Sequence, residues 1–212
     1  MPTTSSGLSG RKAEAARNDR TILEAAREVF LRDPTAPMSA VAEAAHVGVG
    51  ALYRRYAGKD QLLQTLCADG LQRFLTIAED AAAVDDPWEA FAGFVTAIVE
   101  ADVHSLTVHL AGTFTTTPEL GELAGRATAR GNDVFERARA AGALRADLGP
   151  TDVAMVFEQI AAIRGGDADR TAALRRRYLT LLLDALRPQA AATPLPGAGP
   201  TPDELRARWQ RR

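Results

Sequence analysis

Arg54 and Arg55 share one side of a short amphipathic stretch with two of its smallest residues, Gly50 and Ala51. Small residues beside guanidinium groups suit a surface that must come close to another molecule and meet negative charge there. A guanidinium in that setting can take a phosphate or the edge of a guanine, and a small methyl side chain such as that of Ala51 can lie against a thymine methyl. The opposite side of the stretch carries Val49, Leu52, Tyr53 and Tyr56 at spacings of three and four, the period of an α-helix. Upstream, residues 39–45 form a second apolar face from Val41, Ala42 and Ala45, and His46-Val47-Gly48 separates the two. Two short helices about a tight turn, the second one small and basic on its outer side, form a helix-turn-helix. That motif lays its second helix in the major groove of DNA. Lys59 follows at the start of the next helix, where an ammonium can reach a phosphate.

The text HVGVGALYRRYAGKDQLL resembles that of the tetracycline-repressor-like (TetR) family of bacterial regulators. Val47, Gly50, Leu52, Tyr53, Lys59, Leu62 and Leu63 match the family pattern directly, Tyr56 replaces its usual Phe, and Asp60 its usual Glu. The resemblance is strong from Arg11 to about Ala83; beyond that it rests on length and helical character. It implies that Tyr53 and Lys59 contact phosphates, and that Ser39 does so unless its hydroxyl caps the second helix. With Gly48, Val49, Gly50, Ala51, Arg54 and Arg55, these residues are the candidate DNA-binding set. The family has Gly where His46 stands. Either His46 takes the positive φ that Gly adopts freely, or the turn has another shape and His46 is merely exposed.

Composition narrows the remaining choices. The chain has 212 residues, 46% of them hydrophobic, and a formal charge of -2, so attraction to DNA must be local. Residues 1–60 carry nine Lys and Arg against seven Asp and Glu, a net +2, and the remainder carries a net -4. The sign suits a DNA-reading N-terminal part. Cys67 is the one cysteine, so neither an internal disulfide nor a cysteine metal site is available. The N-terminus has no apolar run that could serve as a signal peptide, and no stretch approaches a membrane span, which predicts a cytoplasmic protein without a membrane partner.

Helical periodicity runs through the rest of the chain, with no alternating strand pattern, which predicts an all-α fold. The expected divisions are a disordered arm at 1–10, a three-helix DNA-binding domain at 11–59, a larger helical domain at 60–187 and a Pro/Ala/Gly-rich tail at 188–212. In the larger part, helices are expected at 60–83, 87–103, 104–114, 118–141, 151–164 and 168–187. The first of them is long enough to link the reading head mechanically with the rest. The last two carry wide apolar faces, and the resemblance implies that they pair with those of a second copy as a four-helix bundle. Val153, Val156, Phe157, Ile160, Leu174, Tyr178 and Leu181 are the candidate homodimer interface. The resemblance also implies a pocket for a small-molecule effector. Trp88, Phe91, Phe94, His104, His109, Phe114, Met155 and Glu158 are its candidate lining, although any one of the aromatics, taken singly, is better explained as core. His104 and His109 are five apart and so do not share a helix face as a metal pair requires; no metal and no cofactor is expected. No phosphate-cradling loop, HExxH or nucleophile elbow is present, which argues against an enzyme. The alternative to a repressor of double-stranded DNA operators is a helical interaction protein whose helix-turn-helix no longer reads DNA. The basic groups on its second helix speak against that.

Overall fold

The computed structural model describes the backbone of residues 6–210 and, between Asn18 and Ala207, every side chain except that of Thr107. The described residues are helical with no strand: α1 (Ser6–Arg32), α2 (Met38–Ala44), α3 (Val49–Arg55), α4 (Lys59–Ala82), α5 (Pro87–Glu100), α6 (Val103–Leu110), α7 (Pro118–Ala140), α8 (Pro150–Ala162), α9 (Ala168–Ala185) and α10 (Pro202–Gln210). The chain divides into two compact units, Met1–Leu66 and Cys67–Arg212, so the division falls inside α4 rather than at its start. Residues 6–10, expected in a disordered arm, are the first turns of α1. An existing helix extends without a new nucleation step, although Gly7 and Gly10 each cost it about 1 kcal/mol relative to Ala. Residues 1–5 of that arm lie outside the described ones.

In the smaller unit, Ile22, Ala26 and Phe30 of α1 are buried, as are Val41 and Ala42 of α2 and Leu52 of α3. The turn between α2 and α3 has a definite construction. The N–H of Val47 bonds to the carbonyl of Ala42 and that of His46 to Glu43, at 2.9 and 3.0 Å. This is the Schellman ending of a helix, which requires a left-handed residue at the position of His46. His46 indeed has φ 54. Of the two readings of the turn, the strained one holds. His46→Gly is therefore expected to raise stability by up to about 1 kcal/mol, the part of the Cβ penalty that His does not escape. A melting temperature unchanged or lowered in that variant would sink this account.

The larger unit is built on a cluster that includes Phe91, Phe94, Val95 and Ile98 of α5, Val134 and Phe135 of α7, Val153, Val156 and Ile160 of α8 and Leu179 of α9. Asp86 caps α5 by accepting from the N–H of Glu89 at 2.8 Å, with Pro87 in the first helical position. Gly142, at φ 68, ends α7 in the same left-handed way that His46 ends α2. Cys67 is buried, and that burial pushes its thiol pKa up to about 12. The segment after α9, expected as a linker, is pinned. Arg145 pairs with Asp147 through Nε at 2.6 Å and Nη2 at 3.0 Å, and Nη2 also donates to the carbonyl of Thr193 at 2.8 Å. The N–H of Leu195 donates to Asp147 at 2.8 Å. Arg145 and this N–H hold the Asp147 carboxyl well below the usual carboxylate range. The last turns expected near the C-terminus are α10; the side chain of Trp209 is not among those described. Among the described residues, no single helix is long and apolar enough to cross a membrane.

Candidate nucleic-acid interface

The outer face of the smaller unit is made by α3. Leu52 is fully buried and Tyr56, at the end of the helix, is 5% exposed, so these two residues hold α3 to the unit. Val49 and Tyr53 were expected to share that inner side. They are instead 41% and 51% exposed. The helix is only two turns long, so one fully buried residue per turn is enough to seat it. Gly50, Arg54 and Arg55 are exposed as well, and Ala51 is half-buried. A methyl group added at Gly50 would meet only the guanidinium of Arg54, at 3.7 Å. Nothing inside the unit requires Gly there, although Gly lowers helix propensity by about 1 kcal/mol relative to Ala. The small residue leaves room on the outside.

Arg54 and Arg55 differ in what holds them. Arg55 forms an ion pair with Asp19 of α1, and this hydrogen bond raises the pKa of its guanidinium. Among the described residues Arg54 forms no ion pair and no hydrogen bond. Both arginines line an open groove between α1 and α3, together with Asn18, Asp19, Ile22, Val47 and Ala51. Arg54 is thus the guanidinium available to a ligand, a distinction that adjacency in sequence could not make.

Ser39 is not the cap of α2. The helix begins one residue earlier, Pro37 occupies the capping position, and no side chain caps it. Pro37, with its fixed φ of -76 and extended ψ, starts the helix by geometry alone. Ser39 is exposed in the first turn. Gly48 precedes α3 in an extended conformation, its carbonyl accepting from Ala51 and Leu52. Lys59 is not simply an exposed cation. Its Nζ donates to the carbonyls of Pro34 and Ala36, at 2.7 and 2.9 Å, and lies 5.2 Å from the centre of the Phe30 ring. Partial burial lowers its pKa. Sequence reading missed this role, which ties the α1–α2 loop to the start of α4; nothing in the text ALYRRYAGK signals it. Lys59→Ala should accordingly cost about 1–2 kcal/mol, since two carbonyls lose a charged donor in a half-buried place. A denaturant midpoint equal to that of the parent chain would refute this.

The residues expected to line a pocket differ in burial and in what they touch. Phe91 and Phe94, at 1% and 4% exposure, are core. They pack edge-on against Phe135 and Phe74, with ring centres 6.2 and 5.3 Å apart. The guanidinium carbon of Arg187 lies 4.0 Å from the centre of the half-buried Trp88 ring. His104 is buried with its ring 6.0 Å from that of Phe157. His109 lies between the carbonyl of Ser105 and Nη2 of Arg164, both at 2.8 Å. A guanidinium can only donate, so Nε2 of His109 accepts and its Nδ1 carries the proton. Phe114, Met155 and Glu158 are half-buried. Of the expected dimer residues, Val153, Val156 and Ile160 are at most 7% exposed and belong to this chain's own core. Phe157 and Leu174 are half-buried, while Tyr178 and Leu181 of α9 are 46% and 58% exposed. No group of three or more His, Cys, Asp or Glu comes together among the described residues to hold a metal ion.

Residues 22–66 match the family model described as bacterial regulatory proteins, tetR family. Residues 86–188 match the C-terminal domain of SbtR-like transcriptional regulators. The chain is similar to the solved structure of the TetR transcriptional regulator SCO0520 from Streptomyces coelicolor, with 26% identity over 81% of this chain and 99% of that one, and a TM-score of 0.58. It has the fold of the TetR-like regulator LfrR from Mycobacterium smegmatis, solved in complex with proflavine, at 23% identity over 85% and 99% of the two chains and a TM-score of 0.60. It also has the fold of a gamma-butyrolactone receptor, an ArpA-like protein, at 17% identity over 84% and 93% and a TM-score of 0.63. No curated protein matches the chain.

Proposed function

Since this chain belongs to the tetR family of bacterial regulatory proteins and is a DNA-binding transcriptional regulator, we propose that it is a homodimeric repressor released from a pseudo-palindromic operator by a small molecule. The observation that carries the proposal is the outer face of α3. It presents Gly50, Tyr53 and Arg54 to solvent, with Ala51 beside them and the guanidinium of Arg54 uncommitted among the described residues. In this reading α3 enters the major groove, and Val49, Gly50 and Ala51 allow close approach. Arg54 reaches a guanine edge or a phosphate. Gly48, Ser39, Tyr53 and the remaining donor of Lys59 meet the backbone and fix the register without reading sequence.

Leu174, Tyr178 and Leu181 of α9, with Phe157 of α8, are the proposed meeting face of two copies. One helix of two turns reads few bases, and two of them about one turn of DNA apart, ~34–36 Å, read a palindrome. The effector is proposed to lie in the larger unit beside His104, Phe114, Met155 and Glu158. Phe91 and Phe94 are withdrawn from that lining by their packing. Whatever binds there can act only through unequal affinity for the DNA-bound and free arrangements.

Fluorescence-anisotropy titration tests the proposal. The protein is titrated into a duplex from the region upstream of its own gene and into a scrambled duplex, at two salt concentrations. Tight, salt-dependent binding to the first alone is expected. Equal, weak binding to both would favour an interaction protein that has lost its sequence reading.

A further inference from the structure

We propose that Asp19 governs the selectivity of the reading head by holding Arg55 away from DNA, leaving Arg54 as the guanidinium that α3 offers to a duplex. The inference rests on α3 being the DNA-reading element and adds to it a residue of α1 with no place in the helix-turn-helix motif. A cation that can meet a phosphate in any register strengthens binding that reads no sequence. Two free arginines at the end of one short helix would make a head that adheres anywhere. Asp19 removes one of them by pairing with it.

The pair is poorly suited to a structural task. Its side chains are 57% exposed on Arg55 and 27% on Asp19. Water and salt weaken so open a pair, which therefore holds the fold together little. Its position is more telling than its strength. Asp19 stands in the groove between α1 and α3, among Val47, Ala51 and Arg54. A carboxylate in that place repels phosphate unless a guanidinium answers it. Removing its charge should do two things at once: release Arg55 and open the groove to a phosphate. On its operator the head is seated by base contacts in one register, and a released Arg55 gains only the phosphate that this one register places beside it. On an arbitrary sequence the head samples many registers, and a released Arg55 finds a phosphate in most of them. Discrimination should fall because non-specific binding rises.

The test is a cycle of four full-length chains: the parent, Asp19→Asn, Arg55→Gln and the double variant. Each is titrated by anisotropy against the upstream duplex and the scrambled duplex between about 50 and 200 mM salt. Asp19→Asn should tighten binding to the scrambled duplex severalfold, tighten the upstream duplex by less, and steepen the salt slope on the scrambled duplex by about one unit per head. In the Arg55→Gln background the same substitution should give only the smaller gain that comes from removing an unanswered carboxylate. Circular dichroism should show one melting temperature for all four, because the pair is open to solvent. Unchanged scrambled-duplex binding in Asp19→Asn would overturn the proposal. So would a gain that persists in full without Arg55, because Asp19 would then act by plain repulsion. Failure of the parent chain to distinguish the two duplexes would instead remove the premise that α3 reads sequence, and that result is visible before any variant is made.

Discussion

Leu181→Glu is expected to convert a dimer into a monomer and to abolish operator binding in the same step. Leu181 is 58% exposed on α9, so the chain's own core makes little use of it and the fold should survive the change. Tyr178 is exposed on the same helix, three residues away, and Leu174 is half-buried one turn further back. The three residues, at spacings of four and three, form a stripe along one side of α9. Burying a leucine of this kind contributes about 1.5–3 kcal/mol. In a two-fold interface each substitution counts twice, so the loss is at least ~3 kcal/mol, or more than a hundredfold in the dimer constant. The desolvation of two glutamates adds to it. A monomer presents a single α3, and the affinity that two linked heads have for a palindrome goes with the second head. Sedimentation velocity and anisotropy on the same sample check both parts. Dimers that persist would place the interface elsewhere. Monomers that still bind the operator tightly would break the link between assembly and reading.

The reading head was the most legible part of the sequence because its constraints are local. The turn, the small residues and the basic residues fall in register over about two helices, and each position has its own physical reason. His46 shows how far this goes. A residue standing where Gly is usual pointed to a left-handed turn, and the Schellman hydrogen bonds are there. What escaped was the pairing of groups distant in sequence. Arg55 and Asp19 are 36 residues apart, and Lys59 reaches carbonyls 23 and 25 residues away. Periodicity is silent about such contacts. It also cannot tell a core face from an interface, since both are apolar at the same spacing. That is why Val153, Val156 and Ile160 were placed with Leu181, although they face inward and Leu181 does not. The aromatics of α5 pose a related ambiguity: a ring that lines a pocket and a ring that fills a core have the same signature. The division between the two units, inside one continuous helix, leaves no mark of composition at all.

Arg175 is the residue whose loss should cost the fold most, and it lies in plain view within an Arg-Arg-Arg run. Arg175, Leu179, Leu182 and Leu186 follow one another at spacings of four, three and four, so the inner stripe of α9 has an arginine as its first member. Arg175 is 6% exposed, whereas Arg176 and Arg177 beside it are exposed. Its Nη1 donates to the carboxylate of Asp102 at 2.6 Å. Its Nε and Nη2 donate to the carbonyls of Ile163 and Ala161, at 3.3 and 3.2 Å, and so close the C-terminal end of α8. Asp102 is itself held at φ 50 between α5 and α6, a conformation that Asp tolerates better than most residues. One guanidinium thus joins three helices at their ends. Arg175→Ala leaves a carboxylate and two carbonyls without that donor. Removing one partner of a buried pair costs about 3–5 kcal/mol, and Asp102 keeps some access to water, so the lower figure, ~3 kcal/mol, is expected. In a unit of this size that is a fall in melting temperature of roughly 6–12 °C. Asp102→Asn in the same background should recover part of it, because the carboxylate charge that Arg175 balanced is then gone while the left-handed turn is kept. Denaturant melts of the single and double variants measure both effects. A loss under ~1 kcal/mol in Arg175→Ala, or a double variant weaker than the sum of its parts, would show that solvent already carries the charge of Asp102 and that the pair is incidental to the fold.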